Sequence, residues 1–88
     1  MKEEINTMDN RIAVISIIIY DRNAAEKVNE LLHSYAEYII GRMGLPYEKK
    51  SVSIISVVID APTSITSAIS GRLGMIQGVA AKTNTAKI

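Results

Sequence analysis

The sequence predicts an α+β domain: a four-stranded antiparallel sheet with two helices on one face, in the order strand, helix, strand, strand, helix, strand. Three observations predict it. Residues 11–20 (RIAVISIIIY) and 51–60 (SVSIISVVID) are strand-like runs that are apolar on both faces. Each is followed by a stretch with apolar residues at helical spacing. The chain has 88 residues, enough for one domain but too few to bury a large core unaided.

Met1 opens a polar stretch, MKEEINTMDN, so residues 1–10 read as a loose N-terminal arm and residues 11–88 as the single domain. In the first run Ala13, Ile15, Ile17 and Ile19 point one way and Ile12, Val14 and Ile18 the other. The next segment reads as a helix. Asn23 with Glu26 fits a capping box, and Asp21 is an equally good cap. Val28, Leu31, Leu32, Tyr35, Ala36 and Ile39 form its apolar stripe, and Gly41 is the expected stop. In residues 42–50 (RMGLPYEKK), Met43, Leu45 and Tyr47 alternate as in a short strand. Pro46 lacks a ladder donor and confines that strand to a sheet edge.

The second doubly apolar run sets Ile55, Val57 and Ile59 against Val52, Ile54 and Val58. Pro62 suits the first turn of a second helix, with Ile65, Ala68, Ile69 and Leu73 on one face and small residues opposite. Gly74 ends it, and Val79, Ala81 and Thr83 lie on one side of a last strand. This order is the ferredoxin-like βαββαβ sandwich. Its first and third strands take the sheet centre and are expected to run parallel there, which would put Asp21 and Asp60 at the same sheet edge, near the helix starts. Both carboxylates then read as caps or turn residues before they read as catalysts.

The stretches ELLHSYAEYIIGRMGLP, SVSIISVVID and ISGRLGMIQGVAAKT resemble the small proteins assigned as iron-only hydrogenase system regulators. The most specific pieces are ELLH followed by RMGLP, and SGRLGMIQGV. The same blocks are more distantly similar to the C-terminal ligand domain of nickel-responsive repressors, within the ACT-like regulatory domains. The resemblance implies a regulatory, effector-binding or oligomerisation role in a hydrogenase system. Departures limit what carries over. Nickel repressors use histidines on the second strand and a cysteine at the start of the third, whereas residues 42–47 hold no histidine and the chain has no cysteine. About ten residues precede the first strand, too few for a DNA-binding headpiece. Amino-acid-binding ACT domains carry a glycine after the first strand, where this chain has Tyr20, Asp21, Arg22 and Asn23.

Composition narrows the chemistry. A formal charge of +1 gives no footprint for nucleic acid, so no direct binding to it is expected. Absence of cysteine removes disulfides, thiolate metal sites and cysteine nucleophiles. No apolar run reaches membrane-spanning length, and the start is not a signal peptide; a soluble cytoplasmic protein is expected. Glu30 and His33 share the spacing of di-iron carboxylate motifs, but such sites need two motifs and further glutamates. Glu26, Glu30, His33 and Glu37 fall opposite the apolar stripe and read as a solvated face. Gly71, Gly74 and Gly78 sit at a helix end and match no phosphate loop; they read as close packing and turn residues.

No catalytic residue, metal ligand or cofactor is assigned. The expected function is that of a non-enzymatic regulatory homo-oligomer, a dimer or a tetramer, acting through an effector or partner protein at a subunit interface. The alternatives are a structural oligomerisation module or a small ferredoxin-like dimeric enzyme. Two helices cover one side of the sheet, so the other side needs a partner. Ser16 and Tyr20 make the second face of the first strand the better candidate. The expected subunit contact is therefore Ile12, Val14, Ile18, Tyr20, Ile54 and Val58. Candidate effector or partner contacts are Asp21, Arg42 and Arg72, the last also able to satisfy helix-terminal carbonyls.

Overall fold

The computed structural model describes residues 10–86. The elements are β1 (Asn10–Ile19), a 3₁₀ turn (Arg22–Ala24), α1 (Ala25–Ser34), a second 3₁₀ turn (Ala36–Tyr38), β2 (Ile39–Tyr47), a third (Glu48–Lys50), β3 (Val52–Pro62), α2 (Thr63–Gly74) and β4 (Val79–Thr85). They form the expected ferredoxin-like sandwich, with sheet order β2-β3-β1-β4. The expected N-terminal arm lies outside the described residues apart from Asn10, which opens β1.

The two doubly apolar runs are the central strands, but they run antiparallel, with Val14 opposite Val58 and Ile18 opposite Ile54. The parallel arrangement expected for them is wrong for a topological reason. The β1–α1–β2 crossover makes β1 and β2 the parallel pair, and β3 returns from β2 into the gap between them. Asp21, just beyond the end of β1, and Asp60, opposite Ile12 near its start, therefore sit at opposite ends of the sheet. They share no edge.

The core lies between the sheet and the helices. Ile15, Ile17, Ile19, Ile55, Val57 and Ile59 point toward Val28 and Leu32 of α1 and Ile69 and Leu73 of α2, and all are buried. Each such side chain contributes roughly 1.5–3 kcal/mol on burial. Asp21 caps the 3₁₀ turn that leads into α1, its carboxylate accepting from the Asn23 N–H at 3.0 Å; α1 itself starts after Ala24 without a side-chain cap. Of the two caps read from the sequence, the aspartate serves the 3₁₀ turn and neither caps the α-helix itself. The helix stops at Ser34, short of the expected end at Gly41. Tyr35, Tyr38 and Ile39 still pack on the core, but from a 3₁₀ turn and the first residue of β2. Apolar spacing thus persists across a break in the helix. Pro46 lies on edge strand β2, as its missing donor requires.

Pro62 precedes α2, which buries Thr66, Ile69 and Leu73. On its small face, a methyl group at Gly71 or Gly74 would meet no atom of the described residues within 4 Å. Close packing, read from those glycines, is not their role within this subunit. Gly78 is different. It turns the chain into β4 with φ +88°, a left-handed conformation that favours glycine.

Candidate functional site

Alternation along the strands leaves one sheet face bare. It presents Ile12, Val14, Ser16 and Ile18 from β1, Ile54, Ser56 and Val58 from β3, and Met43, Leu45 and Tyr47 from β2. Register aligns them in rows across the sheet: Ile18 beside Ile54 beside Leu45, and Val14 beside Val58. Ile18 is 43% exposed, Leu45 54% and Met43 68%, unusual values for side chains in a sheet. Of the large apolar side chains that are exposed, Met75 stands apart beyond α2; Ile40 lies in the bulge of β2, and Tyr20 follows the last residue of β1. The β4 column carries Lys82 and Asn84 beyond Ser16 and Val14, with the small Ala80 beyond Ile18. A contiguous apolar area with a polar border is the surface character of an interaction site.

All six residues expected at a subunit contact, Ile12, Val14, Ile18, Tyr20, Ile54 and Val58, map to this side of the sheet or to its end. The sequence reading missed the contribution of β2, although the alternation of Met43, Leu45 and Tyr47 was its signal.

The three candidate effector contacts are not gathered into one site. Asp21 is occupied as the cap of the 3₁₀ turn before α1. Arg42 points to the helix side of β2 and donates to Asn29 Oδ1 at 2.6 Å. Arg72 lies over the Tyr35 ring, its guanidinium carbon 5.9 Å from the centroid, a cation–π arrangement. Arg42 and Asn29 border an open cleft of about 470 Å³ with Leu32, His33, Ala36 and Ile39. Next to it, desolvation and the Glu37 carboxylate push the Tyr38 phenol up from its ordinary value. Glu30 and His33 are both exposed on α1. Among the described residues no three His, Cys, Asp or Glu side chains gather as a metal site would require.

Residues 11–83 match the profile of the TM1266-like family, described as "Iron-only hydrogenase system regulator, putative". The chain belongs to this family. Protein TM1266 of Thermotoga maritima is 35% identical, superposes with a TM-score of 0.85, and is matched over 89% of this chain and 99% of its own. The C-terminal domain of the MgtC protein from Mycobacterium tuberculosis has a TM-score of 0.71 at 10% identity, covering 90% of each chain. The ACT domain of a GTP pyrophosphokinase from Chlorobium tepidum has 0.63 at 17%, covering 88% of this chain and 99% of that one. These two share the fold. No curated protein matches the chain. The TM1266-like description is of a regulator, not of an enzyme. Among the described residues no helix is long and apolar enough to cross a membrane.

Proposed function

We propose that the protein is a cytoplasmic, non-enzymatic regulatory domain that works as a homo-oligomer, its subunits pairing through the open sheet face. It acts in an iron-only hydrogenase system by binding an effector or a partner protein at the subunit interface. The family supplies the system. The observation that carries the pairing is the row-aligned exposure of Ile18, Ile54, Leu45 and Met43 on the uncovered face. Left in water, several such side chains forfeit a stability comparable to that of a whole small domain. Strands of seven to eleven residues in a four-stranded sheet offer a face of roughly 19 by 30 Å. With its relief, that approaches the ~800 Å² per partner of a standard interface.

Arg42 is the best placed of the three effector contacts. It borders the cleft beside α1, and a guanidinium holding one partner still has donors for a carboxylate or phosphate. Two measurements test the proposal. Light scattering at micromolar concentration should return at least twice the chain mass; a folded monomer overturns the pairing. A thermal-shift panel of metabolites and anions should contain a ligand that raises the melting temperature of the native chain and loses that effect in Arg42→Ala. A flat panel would instead favour a structural module without effector.

A further inference from the structure

The open face carries two charged side chains among the described strand residues, and they have opposite sign. Asp60 lies on β3 opposite Ile12, and Lys82 lies on β4 opposite Ser16. Both are exposed. They are separated by two strand spacings across the sheet and four residues along β1, roughly 16 Å, too far to pair within one subunit.

We infer that Lys82 and Asp60 set the register of the subunit pairing, Lys82 of each copy meeting Asp60 of the partner subunit. This rests on the face-to-face pairing proposed above. A two-fold axis between stacked sheets places each point of one face over its reflection across that axis. It brings Lys82 over the second copy's Asp60 when it passes midway between them, perpendicular to the line that joins them. β1 separates β4 from β3, and Val14 lies midway between Ile12 and Ser16. The axis therefore passes over Val14, in the aliphatic part of the face. One axis makes two ion pairs and sets Val14 against its own copy. Axes that slide either charge over the partner's aliphatic rows desolvate an ammonium or a carboxylate without compensation, which costs more than the pair contributes. The pair thus selects orientation, and the aliphatic rows supply affinity.

Charge reversal tests this, using the full chain and sedimentation equilibrium at low salt. Lys82→Glu and Asp60→Lys should each weaken the dimer roughly tenfold or more, since symmetry repeats the like-charge contact. An equimolar mixture of the two variants should regain wild-type affinity within about threefold, because each mixed dimer holds two opposite-charge contacts. The double variant should do the same. Milder Lys82→Gln and Asp60→Asn guard against misfolding, and each should remove most of the salt dependence of dimerisation. A dimer whose affinity ignores all four substitutions, or single variants not rescued by mixing, overturns this register and leaves the pairing intact. A monomeric wild-type chain overturns both.

Discussion

Gly78 lies so close to Asp21 that a methyl group on its Cα would overlap the Asp21 Cβ. The contact locks the turn entering β4 onto the turn leaving β1, and the Tyr20 N–H donates to the Gly78 carbonyl at 2.9 Å beside it. Two requirements thus meet at one glycine, a left-handed φ and room for a neighbour's side chain. Gly78→Ala should cost about 2–3 kcal/mol in denaturant unfolding. Because the obstruction is the Asp21 Cβ, Asp21→Gly should recover part of that loss in the double variant and Asp21→Ala should not. Additive losses in both double variants would contradict the contact.

Leu32 is 1% exposed and joins α1 to the sheet through the central core. Leu32→Ala should destabilise by about 2–5 kcal/mol, a large part of a domain this size. The measurement is the urea midpoint at unchanged m. A loss under 1 kcal/mol would mean that α1 does not pack as described.

Val14 faces away from that core, beside Val58. Val14→Asp should leave the subunit fold intact by circular dichroism and shift the sedimenting species to monomer or to insoluble material. Glu37→Ala, on the exposed turn after α1, should leave the mass unchanged. An unaltered oligomer in Val14→Asp would remove this face from the subunit contact.

Metal should not be held tightly. His33 is the chain's single histidine, it is exposed, and no cysteine exists to join it. Nickel or zinc added to the chain should be lost on dialysis against a chelator. Stoichiometric retention, abolished by His33→Ala, would give the Glu30–His33 pair a role it is denied above.

Much of this was legible in the residues, and the failures have identifiable causes. Strands β1 and β3 announce themselves because both faces are apolar, and Pro46 marks β2 as an edge. The mutual direction of β1 and β3 is not written in their side chains. It follows from how β2 and β3 are joined, and it separates Asp21 from Asp60. The end of α1 is misplaced because Tyr35 and Ile39, two members of its apolar stripe, keep facing the core after the helix has ended. Alternation separates Ile12, Val14, Ile18, Ile54 and Val58 from the other face of the same strands, and Ser16 and Tyr20 mark theirs as the open one. The partners of Arg42 and Arg72 are thirteen or more residues away in sequence and leave no local signal.

Face-to-face pairing of the open sheet is tested most directly by isotope-filtered NOE spectroscopy on a mixture of ¹³C-labelled and unlabelled chains. Pairing predicts contacts between subunits from the methyl groups of Val14, Ile18, Ile54 and Val58, and none from the core methyls of Val28 or Leu73. Filtered contacts confined to the helices, or a folded chain with no filtered contacts at all, would contradict it.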